Sequence, residues 1–200
     1  MGSITTGFSM SLDGYVAGPN DDETYIFKWY SMGSIETTMK AGDHDIETKI
    51  SEQSAEMLES AMQTNGVLLA GRHLFDITDG WGGKHPINLP VVVVTHHVPQ
   101  AWIDRHPDAP FTFVTDGIES ALAKSREIAG DKDIVIASTT IVQQVHKLGL
   151  LDYIHIDLVP VFLGQGVRLF EHLDQPLELE RLDSVAAPGV THMNFRVIRT

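Results

Sequence analysis

The stretch "DKDIVIASTTIVQQ", residues 131–144, changes its period midway. Ile134, Val135 and Ile136 form an apolar run without alternation, the pattern of a strand covered on both faces, and Ile141, Val142 and Val145 then recur at helical spacing. A buried strand running straight into a helix is the repeating unit of an α/β fold. Between the two lie Ala137, Ser138, Thr139 and Thr140. A strand that breaks into a helix leaves backbone N–H groups pointing off the strand end, and together with the helix dipole these attract anions. The hydroxyls therefore have two readings: Ser138 or Thr139 caps the helix, or the turn faces a ligand.

The same unit recurs on either side. "GVLLAG" (66–71), "PVVVVT" (90–95) and "FTFVT" (111–115) are further short runs of the buried-strand kind. Residues 117–129 form a helix with Ile118, Ala121, Leu122, Ser125 and Ala129 on its inner face, and 139–148 form another that Gly149 closes. Residues 4–11 read as a first strand ending in the turn Asp13-Gly14. Residues 51–64 place Ala55, Leu58, Ala61 and Met62 on one helix face and Glu52, Glu56, Glu59 and Gln63 on the other. The aromatics Tyr25, Phe27, Trp29 and Tyr30 have no clean period, so 24–45 reads as a partly ordered loop, a lid or a partner contact. The last quarter, including "YIHIDLVPVFLGQG" and "THMNFRVIRT", holds strands without helices between them. The expected fold is one α/β domain over 1–200, its sheet mostly parallel with an antiparallel C-terminal edge.

Composition narrows the function. A net charge of -13 and a pI near 5.0 repel nucleic acid and anionic membranes, so neither is an expected partner. The chain has no cysteine, which excludes disulfides, thiolate metal sites and a Cys nucleophile. No apolar run approaches the roughly 20 residues of a membrane helix, and the start lacks a signal-peptide pattern, so a cytoplasmic location is expected.

Several residues fall at the carboxyl ends of strands, where α/β sheets bind ligands. In "LLAGRHLFD", Gly71 breaks the strand, and Arg72 either holds a phosphate or pairs with Asp76. In "VVVVTHHVP", Thr95, His96 and His97 end a strand; adjacent strand residues point to opposite faces, so one imidazole is expected outward and the other toward a ligand. The histidines show no recognisable metal spacing, and no metal is expected. Gly164-Gln165-Gly166 lacks the third glycine of a dinucleotide fingerprint and suits a tight turn. Walker and G-x-S-x-G motifs are absent from the sequence.

The ordered set "FSMSLDGYVAGP", "LLAGRHLFD", "WGGKHP", "PVVVVTH", "FTFVTDGIESAL", "GDKDIVIAS" and "GLLDYIHIDLVPVFLGQGVRLF" resembles the dihydrofolate-reductase-like superfamily. The resemblance is to single-domain proteins similar to the reductase half of the riboflavin-biosynthesis deaminase-reductase, and it spans the chain apart from 24–50. It implies a three-layer α/β fold, a homodimer, and NADPH lying across the carboxyl ends of the central strands. Carried over by position, Asp13 is the candidate for proton relay or substrate hydrogen bonding, with Ser11, Gly14 and Trp81 beside the substrate. Gly71 and Arg72 would meet cofactor phosphate, Thr95, His96 and His97 the adenosine end, and Ala137, Ser138, Thr139 and Thr140 the diphosphate. Leu163, Gly164 and Gly166 would border the nicotinamide or brace the dimer.

Three of those positions differ from the usual family residue. Ala137-Ser138 stands for Gly-Gly, Leu74 for Thr, and His97 for Arg, which admits NADH beside NADPH. The implied activity is hydride transfer to a small heterocyclic or carbonyl-type substrate of pyrimidine or pterin class. It would be akin to 5-amino-6-(5-phosphoribosylamino)uracil reductase or dihydrofolate reductase, and the alternative is a non-catalytic nucleotide or metabolite binder. Dihydrofolate reductases carry a carboxylate on the first long helix, but Glu52, Glu56 and Glu59 lie on the polar face here and are assigned to solvent.

Overall fold

The computed structural model describes residues 2–171 and 173–199. In chain order its elements are β1 (Ile4–Ser11), β2 (Tyr15–Ala17), β3 (Ile35–Ala41), β4 (His44–Ile50), α1 (Glu52–Thr64), β5 (Asn65–Gly71), α2 (Arg72–Ile77) and β6 (Val91–Val94). There follow α3 (Gln100–Arg105), β7 (Phe111–Val114), α4 (Ile118–Ala129), β8 (Asp133–Ala137), α5 (Thr139–Lys147), β9 (Tyr153–Val159), β10 (Val167–Arg168), β11 (Leu179–Ala187) and β12 (Val190–Val197). Eight strands form one sheet in the order β11-β12-β9-β1-β8-β5-β6-β7. The six from β9 to β7 are parallel, while β12 pairs antiparallel with β9 and β11 with β12. The fold is the expected three-layer, mostly parallel sheet with an antiparallel edge.

The apolar runs lack alternation because both faces are covered. Val67, Leu69, Ile134 and Ile136 pack with Ala121 and Leu122 of α4 and Ile141, Val142 and Val145 of α5. Leu68, Ala70, Val91 and Val93 pack on the other side with Phe75 of α2 and Trp102 of α3. α1 lies on this second face and fills it poorly: Ser54 is its one buried residue, so a space remains between helix and sheet. No helix among the described residues is long and apolar enough to cross a membrane.

Segment 24–45 corrects the expectation of a partly ordered loop. Ile26 and Trp29 are buried, and the Trp29 indole Nε1 donates to Ser9 Oγ at 3.0 Å, tying a short helical turn to β1. β3 and β4 then pair as a hairpin across Gly42, whose φ of 57° is the left-handed turn conformation. The aromatics have no period because the first few belong to a single turn, not to a repeating element.

Candidate functional site

Adjacent parallel strands carry the expected cofactor residues to one edge of the sheet. β8, β5 and β6 are neighbours, with Ala70 level with Ala137 and Gly71 with Val94, so Ala137, Ser138, Gly71, Arg72 and Thr95 form an arc at their carboxyl ends. Ser138 occupies the N-cap position of α5, yet its side chain makes no capping bond. Its hydroxyl instead stands 3.1 Å from Thr140 Oγ1 and packs against Gly71, where a Cβ would come within 2.8 Å of Ser138 Oγ. Of the two readings of the opening stretch, the cap by side chain is therefore not the one built.

Arg72 is anchored within the arc. Its Nε donates to Asp76 Oδ1 at 2.7 Å, and its Nη1 donates to the His97 carbonyl at 2.9 Å and to Thr95 Oγ1 at 3.2 Å. The pairing of one inward and one outward imidazole does not occur: His96 and His97 are both exposed. β6 ends at Val94, so the alternation of an extended strand does not reach them.

A second group gathers at the ends of β1 and β9. Asp13 accepts from Ser11 Oγ at 2.6 Å, from the Gly164 N–H at 2.7 Å and from the Leu163 N–H at 3.1 Å. The Ser11 hydroxyl, followed by the two backbone donors, holds the Asp13 carboxyl down at about 2, so it is ionised at neutral pH. Gly166, with φ of 136°, passes so close to Ala17 that a Cβ would meet its carbonyl oxygen. Asp13, Ser11, Leu163, Gly164 and Gly166 thus clamp two loops together, and Gly14 turns the chain from β1 into β2.

The open volume lies elsewhere. A cavity of about 700 Å³ occupies the space beneath α1, walled by Thr5 and Gly7 of β1, Leu68 of β5, Val135 and Ala137 of β8, His155 and Asp157 of β9, and Met57 and Ala61 of α1. Ser11, Gly14 and Trp81, expected beside a substrate, do not line it. Trp81 stands behind His85, their rings 4.7 Å apart edge to face, and His85 is the one on the wall. Burial pushes the His85 imidazole down to about 4, and its Nδ1 is buried without a hydrogen-bond partner among the described residues. Glu52, Glu56 and Glu59 are exposed, as their helix face required, though Glu56 reaches the rim.

The far wall holds a polar block that reading along the sequence missed. On β9, His155 and Asp157 are two residues apart and share a face; across the β9–β12 ladder Asn194 lies level with His155, and His192 with Asp157. Asp157 Oδ1 is 2.7 Å from His155 Nε2 and 2.6 Å from His192 Nδ1. The remaining ring nitrogens face Asn194 Oδ1 at 2.7 Å and Ser54 Oγ at 2.9 Å. Burial opposes the Asp157 charge, but hydrogen bonds from both histidines outweigh it and hold the carboxyl below its usual range. For His155, burial is likewise outweighed by Asp157 and Asn194, which keep it above the usual imidazole range. Burial and the Asp157 charge both raise the phenol of Tyr30, also on this wall, so it stays neutral.

A profile of the RibD C-terminal domain family matches residues 3–192. No curated protein matches the chain. Among solved structures, a putative riboflavin biosynthesis protein from Shewanella sp. PV-4 is similar with a TM-score of 0.71 at 20% identity, over 98% of this chain and 99% of that one. The diaminohydroxyphosphoribosylaminopyrimidine deaminase/5-amino-6-(5-phosphoribosylamino)uracil reductase from Thermotoga maritima gives 0.63 at 12% identity. That match covers 98% of this chain and 57% of the bifunctional protein, so the chain spans little more than half of it. Dihydrofolate reductase from Enterococcus faecalis, in complex with NADP(H), gives 0.60 at 12% identity, over 98% and 97% of the two chains. At these identities the likeness is one of fold.

Proposed function

This chain belongs to the RibD C-terminal domain family, and from that premise we propose that it is a nicotinamide-dependent reductase of a small heterocyclic or carbonyl-type substrate, of pyrimidine or pterin class. One observation carries the reading. Ala137 belongs both to the strand-end arc and to the wall of the cavity, so a dinucleotide lying along the arc would reach the cavity at its edge. The cavity is of the size that takes a drug-sized molecule, and its wall sets apolar groups such as Met57, Leu68 and Val135 against many polar ones, among them His155, Asp157 and His192.

The arc suits NADPH in its donor chemistry. The start of α5 presents backbone N–H groups with the hydroxyls of Ser138, Thr139 and Thr140 beside them, Ser138 Oγ lying against Gly71. Those residues would hold the diphosphate. Arg72, fixed by Thr95, Asp76 and the His97 carbonyl, would supply a positive field at the adenosine side. The exposed His97 is a weak partner for a 2′-phosphate, so NADH is the second candidate. When bound, the nicotinamide supplies the hydride. The chain orients the acceptor over β1 and β8 in the cavity beneath α1. Asp13 acts at a distance, by fixing the loops at the ends of β1 and β9. The same reading includes a cytoplasmic homodimer, checked by sedimentation equilibrium.

Titration of the protein with NADPH and NADH by calorimetry tests the proposal; absence of binding for both at millimolar concentration overturns it. A second reading, a non-catalytic nucleotide or metabolite binder, rests on Ser138 Oγ filling the space beside Gly71. Hydride transfer to any acceptor would refute that alternative.

A further inference from the structure

Three metal-ligating atoms converge on the cavity wall. His155 Nε2, His192 Nδ1 and Asp157 Oδ1 lie within 4.8 Å of one another, with side-chain exposures of 24%, 3% and 12%. Something positive has to lie among them: the carboxylate oxygen is less than 3 Å from each nitrogen, so each contact needs either a proton or a cation shared between the two atoms.

The outer contacts fix the orientation of both rings, whichever of the two, proton or cation, lies between them and the carboxylate. Asn194 is oriented by its Nδ2, which donates to Asp183 Oδ1 at 2.8 Å, so its Oδ1 is the atom turned to His155 Nδ1 and must accept a proton from it. A neutral His155 then has its lone pair on Nε2, facing Asp157. His192 is set the same way when its Nε2 donates to Ser54 Oγ, a hydroxyl held by Ser51 at the start of α1. An oxygen acceptor on the distal ring nitrogen of each histidine, with the proximal nitrogen aimed at a carboxylate, is the outer-shell pattern of metal-bound imidazoles.

We propose that His155, His192 and Asp157 form a binding site for one divalent first-row transition ion, of the Zn²⁺ or Fe²⁺ class, with its remaining coordination positions open to the cavity. Two imidazoles and one carboxylate match that class, whereas Mg²⁺ and Ca²⁺ prefer sets made of oxygen. Metal–ligand bonds of about 2.1 Å in tetrahedral geometry call for ligand atoms roughly 3.4 Å apart, so Asp157 Oδ1, now 2.7 and 2.6 Å from the two nitrogens, withdraws by about 0.7 Å to admit the ion. The open positions would take water or an oxygen or nitrogen donor of a cavity ligand, such as a carbonyl or a hydroxylated heterocycle. The site does not depend on nicotinamide binding.

The test uses the full chain, stripped with a chelator and titrated with Zn²⁺ by calorimetry and with Co²⁺ by visible absorption. One ion per chain at micromolar affinity or better is expected, with a cobalt spectrum unlike that of the aqueous ion. Asp157→Asn and His155→Gln should each weaken binding by about 100-fold or more, and Asn194→Ala by about tenfold through loss of ring orientation. Circular dichroism checks the fold of each variant, and His155→Gln, at the more open end of the cluster, carries the test if Asp157→Asn does not fold. Two results would overturn the proposal: no binding of either ion at about 100 µM, which leaves the cluster as a proton-sharing network, or binding kept in these variants but lost when the exposed His73, His96 and His97 are changed to Ala. Nicotinamide titration of the metal-free protein separates this outcome from the fate of the reductase reading.

Discussion

Ser138 Oγ lies 2.8 Å from the point where a Cβ on Gly71 would stand, so the hydroxymethyl of one residue fills the space left by the missing side chain of the other. This contact joins β8 to β5 at the place where a dinucleotide would cross the sheet. Changing Ala137 and Ser138 to Gly should tighten NADPH binding about tenfold, near 1.4 kcal/mol, by opening the turn. Because Ser138 makes no capping bond, the Ser138→Gly change should cost α5 only a few tenths of a kcal/mol. An unchanged Kd would count against the arc as the diphosphate site.

The Asp13 clamp is an electrostatic device with a defined pH window. Its folded pKa is depressed to about 2 from 3.8, so the stabilisation is fully present above 3.8 and is lost as pH falls through about 2. Asp13→Asn should lower the melting temperature at neutral pH, and the gap from the wild type should close over that acid range. A gap that does not depend on pH would mean that the clamp works without its charge.

Buried His85 has the same sign through a different cause. Burial lowers its pKa from 6.5 to about 4, so the unfolded chain takes up a proton in that interval while the folded chain does not. The stability associated with neutral His85 is complete above 6.5 and is lost as pH falls toward 4. Between about pH 7.5 and about pH 5 the wild type should lose on the order of 2 kcal/mol more than His85→Phe, measured by urea unfolding. Equal losses would show that the imidazole is hydrated in the folded state.

Trp29→Phe keeps the aromatic body but removes the donor to Ser9 Oγ, leaving a hydroxyl that is only 5% exposed without that partner. A loss of about 1–3 kcal/mol is expected from the urea midpoint. A change within a few tenths would mean that Ser9 finds another partner.

What was legible in the sequence follows from where each signal lies. Val67 to Ala70, Val91 to Val93, Ile134 and Ile136 are buried, so an unbroken apolar run is visible without any knowledge of their partners. The hairpin of β3 and β4 was legible in principle: Ile35, Thr37, Met39 and Ala41 alternate with Glu36, Thr38 and Lys40 before Gly42. The aperiodic aromatics just before it masked the pattern. α1 shows the opposite problem, because its deepest residue is Ser54, and a hydrophobic-face reading does not look for a hydroxyl pointing inward. His192 lies far from His155 and Asp157 in the chain. Nothing in local spacing brings them together; the antiparallel pairing of β12 with β9 does, and register is a tertiary quantity.

That dependence on register has an architectural consequence. The four-residue block of His155, Asp157, His192 and Asn194 is carried by two strands alone, and it keeps its shape as long as Thr191 stays opposite Leu158. Within the connection from β9 to β12, Asp183 of β11 touches the block through Asn194, whereas slipping β12 by one residue would turn both of its polar members to the other face at once. The two strands carry the block as one unit, and Ser54 of α1 and Asp183 of β11 are the outside anchors that any transplant of it would have to bring along.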